Sequence, residues 1–421
     1  MSASLTVRAA GRRFVGLTAL RWLPVGLSAP VTVLLAASRG LSPADVGVVI
    51  AVYSVVVLVL ELPTGGLADS LGTRPVLVAS AVFSTAGLVA LGFADSVAAF
   101  AVAEALRGVG RALDSGPLEA WYVDTVRAAD PDADVAPGLS RAGAADGAGL
   151  CLGAVVGGLL PLLSGRAGDD ALVLPVLAAA VLTAVSAVAV ALLVVDPPGA
   201  PRRRLADAGA GVRAVPAVVR DTARLVARDR LLRRVLAVSL LVGAVLSTLE
   251  LLGPLYAAEL TGSGASGATL FGVVMAVSFA AAGLGALLAP AARRLARGSG
   301  PVAAAGLAAV GALAIAAVPL AGPVALTALF AVFYVGNAAA WPLWKSVLHG
   351  RVGAGRRATA LSASSFALQI GALGGSLGLA RLADAAGLSA GFLGAAVAAL
   401  LTGLVSLGLR SRSPVAASRT G

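Results

Sequence analysis

Glu104, Arg107, Arg111 and Asp114 stand in an otherwise apolar run, at spacings of 0, 3, 7 and 10. At 3.6 residues per turn these positions share one face of a helix. Such a stripe can close on itself as two local ion pairs, Glu104 with Arg107 and Arg111 with Asp114. It can also line a polar cavity and carry a proton or bind a solute. Other apolar runs hold similar residues. Arg21 interrupts the first, Glu250 lies just outward of the middle of the seventh, and Asp146 lies near the inner end of the fifth, where a cap or loop partner is expected. Glu61 precedes Pro63 at the end of the second. The tenth puts Tyr334, Asn337, Trp341 and Trp344 largely on one face. Aromatics beside one amide suit an amphipathic or ring-bearing ligand. Interfacial anchoring is the other reading, stronger for Trp344 than for Tyr334.

The runs that carry these residues dominate the chain. Of 421 residues 58% are hydrophobic and 13% are charged, about half the charge of an ordinary soluble domain. Lipid is therefore the expected solvent. At the bilayer centre a charge costs about 2.5–3.5 kcal/mol, so Glu104, Arg107 and Arg111 would cost about 8–10 kcal/mol if they faced lipid unpaired. The stripe must face the protein interior or a water-filled cavity. Several function classes drop out. Cys151 is the single cysteine and His349 the single histidine, which leaves no disulfide framework and no usual histidine-based metal site. No phosphate-binding glycine loop precedes Lys345, the one lysine, so ATP drive within the chain is not expected. No nucleophile–base pattern suggests an enzyme, and no cofactor or metal is expected. The net charge of +11 does not signal nucleic acid, because the arginines sit in short loops between apolar runs.

Windows of about 20 apolar residues predict twelve spans near 14–37, 44–66, 75–93, 97–116, 138–163, 171–195, 235–258, 268–290, 301–319, 323–347, 357–380 and 387–409. With the N-terminus inside, the outer loops hold only Arg39, Arg166 and Arg381, and the other loop arginines fall inside. That asymmetry predicts both termini in the cytoplasm. The arginine-rich segment 196–234 divides a first half, 1–195, from a second, 235–421. It reads as a cytoplasmic linker with an amphipathic helix on the anionic leaflet. GVVIAVYS at 47–54 and GVVMAVSF at 272–279 share five of eight positions, each in the second span of its half. Weak internal similarity of this kind is expected of a duplicated transporter.

Between the second and third spans the chain reads GGLADSLGTR. Gly65, Asp69, Gly72 and Arg74 resemble the loop signature of the major facilitator superfamily at that place. Glycines let the loop turn tightly, and Asp69 can cap a helix or pair with an arginine across a moving interface. The fifth span's GLCLGAVVGG resembles an efflux-type pattern at Gly149, Gly153, Gly157 and Gly158, with Ala154 in place of the proline. The same glycines also allow plain close packing of helices. The fourth span, EALRGVGRALDSG, keeps the family's Gly108 and Gly110 but has Glu104 where an arginine is usual and Arg107 where a glutamine is usual. The antiporter role of that arginine therefore does not carry over.

The resemblance implies an all-α membrane protein of twelve transmembrane helices in two six-helix pseudo-symmetric bundles. It implies secondary-active transport by alternating access, with proton-coupled export of a small amphipathic drug or metabolite as the leading expectation. A proton symporter or facilitative importer is the alternative, and a transport-inactive receptor is the alternative of another class. Arg21, Glu104, Arg107, Arg111, Glu250, Tyr334, Asn337 and Trp341 are the expected cavity or coupling residues, with the 65–74 loop as conformational gate. The expected partners are the substrate, protons and the bilayer. A monomer in a bacterial inner membrane is expected.

Overall fold

In lipid a chain must satisfy its backbone polar groups internally, and a helix does so within each segment. The computed structural model describes residues 5–64, 67–166, 168–195, 229–351 and 357–409, and they are helical throughout apart from short connections. The first half comprises α1 (Val7–Ser38), α2 (Pro43–Thr64), the short α3 (Leu67–Leu71), α4 (Thr73–Phe93), α5 (Val97–Leu113), α6 (Pro117–Ala129), α7 (Ala136–Leu163) and α8 (Asp169–Leu193). The second comprises α9 (Arg230–Thr261), α10 (Gly264–Leu295), α11 (Gly300–Ala317), α12 (Pro323–Arg351), α13 (Arg357–Gly374), α14 (Ala380–Ala386) and α15 (Leu388–Leu407). A π-helical turn, Gly375–Leu379, joins α13 to α14 into one long segment.

Eleven of these segments are long and apolar enough to cross a membrane. The twelfth is α5, whose 17 residues span about 25 Å. The six long helices of each half pack in one scheme. The first packs on the fifth and sixth, the second on the fourth, and the third on the fourth and sixth. The halves are thus two pseudo-symmetric bundles. Exposed Val59, Phe93, Leu163, Leu192, Leu287 and Leu313 give the outside an apolar coat.

Several boundaries differ from expectation, and two of them bear on the site. The fourth span stops at Leu113, Asp114 caps it, and Gly116 turns the chain at φ 125°. The unexpected α6 follows, with Pro117 in its first turn. At 13 residues it is too short to register in a span-length window. It lies across the end of the bundle where α1 begins, here called the base. There Tyr122 stacks on Phe14 at 4.5 Å, and the Trp121 Nε1–H donates to the Val195 carbonyl at 2.9 Å. The seventh span starts at Arg230 rather than 235, because the Asp229 carboxylate caps α9 by accepting from the Leu231 and Leu232 amides at 2.8 and 3.2 Å. The proposed amphipathic stretch 196–228 lies outside the described residues.

The cores fix the conformation. At the end away from the base, one apolar cluster joins both halves: Leu35, Phe100 and Leu172 share it with Leu249, Phe271 and Phe392. At the base the halves keep separate clusters, Phe14, Trp121 and Tyr122 in one, Leu232, Ala340 and Trp344 in the other. Among the described residues the bundles share an apolar core at the far end and keep separate cores at the base. Arg39 adds a staple at the far end. Its guanidinium donates to the Gly92 carbonyl at 2.8 Å and to that of Ala94, and lies 3.6 Å from Asp169.

Glycines bring the backbones together. Gly149, Gly153 and Gly157 of α7 face the α1 backbone near Ala19, Leu23 and Leu27, while Gly158 faces Ala268 and Gly272 of α10. A Cβ at Gly157 would fall 2.7 Å from the Leu27 carbonyl carbon, with no flexible side chain to yield. Gly157→Val should cost more than the 1–3 kcal/mol of ordinary overpacking, roughly speaking, and should sharply lower the yield of monodisperse protein in detergent. Gly147→Ala is the control, since nothing lies within 4 Å of a Cβ there. Equal yields would disprove the packing role.

Candidate functional site

The charged stripe of α5 does not pair as two local couples. The Arg107 guanidinium donates to Glu104 Oε1 one turn back, and Glu104 is only 5% exposed. Gly87 of α4 makes room for the arginine stem: a Cβ there would sit 2.6 Å from Arg107 Cγ. Asp114 pairs instead with Arg21 of α1, which also donates to the Asp114 carbonyl at 3.2 Å. Arg21 therefore does not reach for the membrane surface. Its guanidinium lies 5.0 Å from the Trp22 ring centroid. The Arg111–Asp114 couple, one of the two readings of the stripe, is absent, because Arg21 occupies the carboxylate from across the bundle. Arg111 is exposed and makes no hydrogen bond or ion pair with a described residue. Asp146 is not a cap: it lies inside α7, half-buried, within electrostatic reach of Arg21 and Arg111 but in direct ion pair with neither.

These groups surround a cavity of about 170 Å3 inside the first bundle. Arg21, Arg107, Arg111 and Asp114 line it together with Tyr53 of α2. Tyr53 was not singled out by sequence, since one tyrosine in the run GVVIAVYSVVV carries no local signal. Its position is distinctive: it interacts electrostatically with Arg107 and Arg111 on its own side and with Glu250 of α9 on the other. The cavity thus abuts the cleft between the bundles.

Across that cleft Glu250 is exposed and has no cationic partner among the described residues. It lines a recess of about 10 Å3, about room for one water, with Phe271, Ser278, Phe330 and Tyr334. The Ser278 hydroxyl is buried there without a hydrogen-bond partner. The four polar and aromatic residues of α12 separate. Tyr334 joins Glu250, whereas Asn337 lines another small cavity inside the second bundle with Thr402 and Trp344. Trp341 meets Trp344 edge-on at 6.1 Å, under Lys345 at 5.7 Å. Trp344 is no interfacial anchor: it is 5% exposed, and its Nε1–H donates to Ser406 Oγ at 2.9 Å.

Of the 65–74 loop, Gly65 lies outside the described residues, and for Asp69 only its place in α3 is described. Gly72, at φ 93°, takes a backbone form that side-chain-bearing residues rarely adopt. Arg74 is exposed in the first turn of α4.

A family model described as Major Facilitator Superfamily matches residues 14–376. A curated relative, the "Uncharacterized MFS-type transporter YxaM" of Bacillus subtilis (strain 168), is 30% identical over 108 residues. That match spans 26% of this chain and 27% of the relative. Among solved structures, the nucleoside transporter NupG superposes with a TM-score of 0.76 at 14% identity, covering 95% of this chain and 98% of that one. The peptide transporter POT in complex with sulfate gives 0.69 at 19% identity, over 95% and 94%. The human organic anion transporter MFSD10 (TETRAN) gives 0.58 at 20% identity, over 95% and 99%. These identities speak to the fold alone. The family match runs across both bundles and through the glycine-rich loop, and the chain, a multi-pass membrane protein, belongs to the major facilitator superfamily.

Proposed function

We propose that this chain is a secondary-active transporter that moves a small amphipathic molecule outward across a bacterial cytoplasmic membrane in exchange for protons. Glu250 carries the reading. It is an exposed carboxylate across the cleft from Tyr53 of the first bundle, and no cation among the described residues answers its charge. In such a place the charge must be met by a proton, whose binding and release can be tied to cargo movement as the bundles rock. Glu104 fits coupling less well, because Arg107 already neutralises it. The α7 glycine pattern supports export. Uptake by proton symport is the second reading, in which the proton on Glu250 travels with the cargo.

The test uses proteoliposomes with an acidic lumen and a pH dye inside. A panel of small amphipathic compounds is added outside. An antiport substrate should release lumenal protons, and a symport substrate should carry protons in. Transport of a compound without proton movement would sink the coupled reading, and absence of counterflow for every compound would favour a receptor. The arginine asymmetry supports a cytoplasmic base, with the core shared by both bundles on the outer side. Reporters fused after Gly168 and Gly211 should read outside and inside, and the opposite pattern would reverse the orientation.

A further inference from the structure

We propose that the cavity inside the first bundle is a subsite for an oxyanion, a carboxylate or phosphate-type group carried by the cargo, and that Arg111 binds it. The inference deepens the transport reading and rests on it only in taking the ligand to be cargo. Three guanidiniums line the cavity, those of Arg21, Arg107 and Arg111. Two are answered in place, Arg21 by Asp114 and Arg107 by Glu104. Among the described residues Arg111 is answered by no direct contact, and Asp114 and Asp146 act on it only at longer range. Arg111 stands in the last turn of α5, two residues before the helix ends at Leu113. Its exposed side chain lines the cavity there. Its planar fork of donors matches carboxylate and phosphate oxygens. Ser84 and Ser186 add hydroxyls to the wall.

Size says how much of the ligand enters. Sites for drug-sized molecules run to about 300–1,000 Å3, and this cavity has about 170 Å3. It takes a head group, while the rest of the molecule lies past Tyr53 in the cleft between bundles. The first bundle then reads the anionic end of the cargo, and Glu250 of the second stays free for the proton.

Trp22 lines the same cavity and serves as reporter. The full chain in phosphatidylcholine nanodiscs is titrated with phenyl phosphate, benzoate, benzamide and benzylammonium, reading tryptophan fluorescence. The two anions should bind and the neutral and cationic analogues should not. The signal should vanish in Trp22→Phe. Arg111→Gln should weaken phenyl phosphate about ten- to a hundredfold, as expected for loss of a charge-assisted contact, and Arg111→Lys should retain part of the affinity. If Arg111→Gln gives no folded protein, the ligand series and Arg111→Lys decide the matter. Equal binding of all four compounds, unchanged affinity in Arg111→Gln, full affinity loss in Arg111→Lys equal to that of glutamine, or a signal that survives Trp22→Phe would each overturn the proposal. Phosphatidylglycerol in the discs separates the sources. If it abolishes the response, a lipid headgroup rather than cargo occupies Arg111 and the cargo assignment fails. No proton gradient enters this measurement, so its failure leaves the transport reading intact, and failed proton movement in vesicles leaves the subsite intact.

Discussion

Glu250→Gln is expected to reduce proton-driven accumulation to background while counterflow of the same compound persists. The size of the loss follows from the driving force. One proton crossing 100 mV contributes about 2.3 kcal/mol, and one pH unit adds about 1.4 kcal/mol. Together they support roughly a 500-fold gradient, at about 1.4 kcal/mol per tenfold. Glutamine keeps the shape and removes the titrating group, so nearly all of that accumulation should vanish. Glu104→Gln is the informative contrast. That carboxylate is buried and already answered by Arg107, so its loss should destabilise the protein by leaving a cation unpaired and should not uncouple the protein that still folds. Retained coupling in Glu250→Gln, or lost coupling with normal stability in Glu104→Gln, would return the proton to the α5 pair.

The contrast between these two acids shows what local sequence can carry. Glu104 beside Arg107 is a contrast within one helical turn, and a linear reading registers it. Glu250 is a lone acid in SLLVGAVLSTLELLGPL, and its meaning depends on Ser278 and Tyr334, which lie 28 and 84 residues further along the chain. The same limit explains the partner of Asp114. Arg111 is the near choice at i–3, yet Arg21 takes the carboxylate from 93 residues away. Span count and the duplication were legible because they rest on long windows and repeated pattern. The turn at Gly116 and helix α6 were not, because their length falls below that window and their apolar face becomes visible only against Phe14 and Leu77.

The second large effect belongs to Arg21 and Asp114. A quarter or less of each side chain is exposed, and the pair ties the middle of α1 to the point where α5 ends and the chain turns into α6. Removing one partner of a buried pair strands the other charge and costs about 3–5 kcal/mol. Asp114→Ala and Arg21→Met should therefore each lower the thermal midpoint in detergent strongly. Replacing both removes the stranded charge along with the attraction, and buried pairs replaced together are often near neutral. The double variant should accordingly be more stable than either single one, with a coupling of more than about 1 kcal/mol between the sites. Asp146 sets a check on this cycle, since it faces Arg21 without touching it. If it captured the freed Arg21, Asp114→Ala alone would be mild, and Asp114→Ala combined with Asp146→Asn would restore the full loss. Additive single effects with Asp146 intact and unhelpful would mean that the pair holds nothing, and that the break after α5 is fixed by Gly116 and the packing of α6.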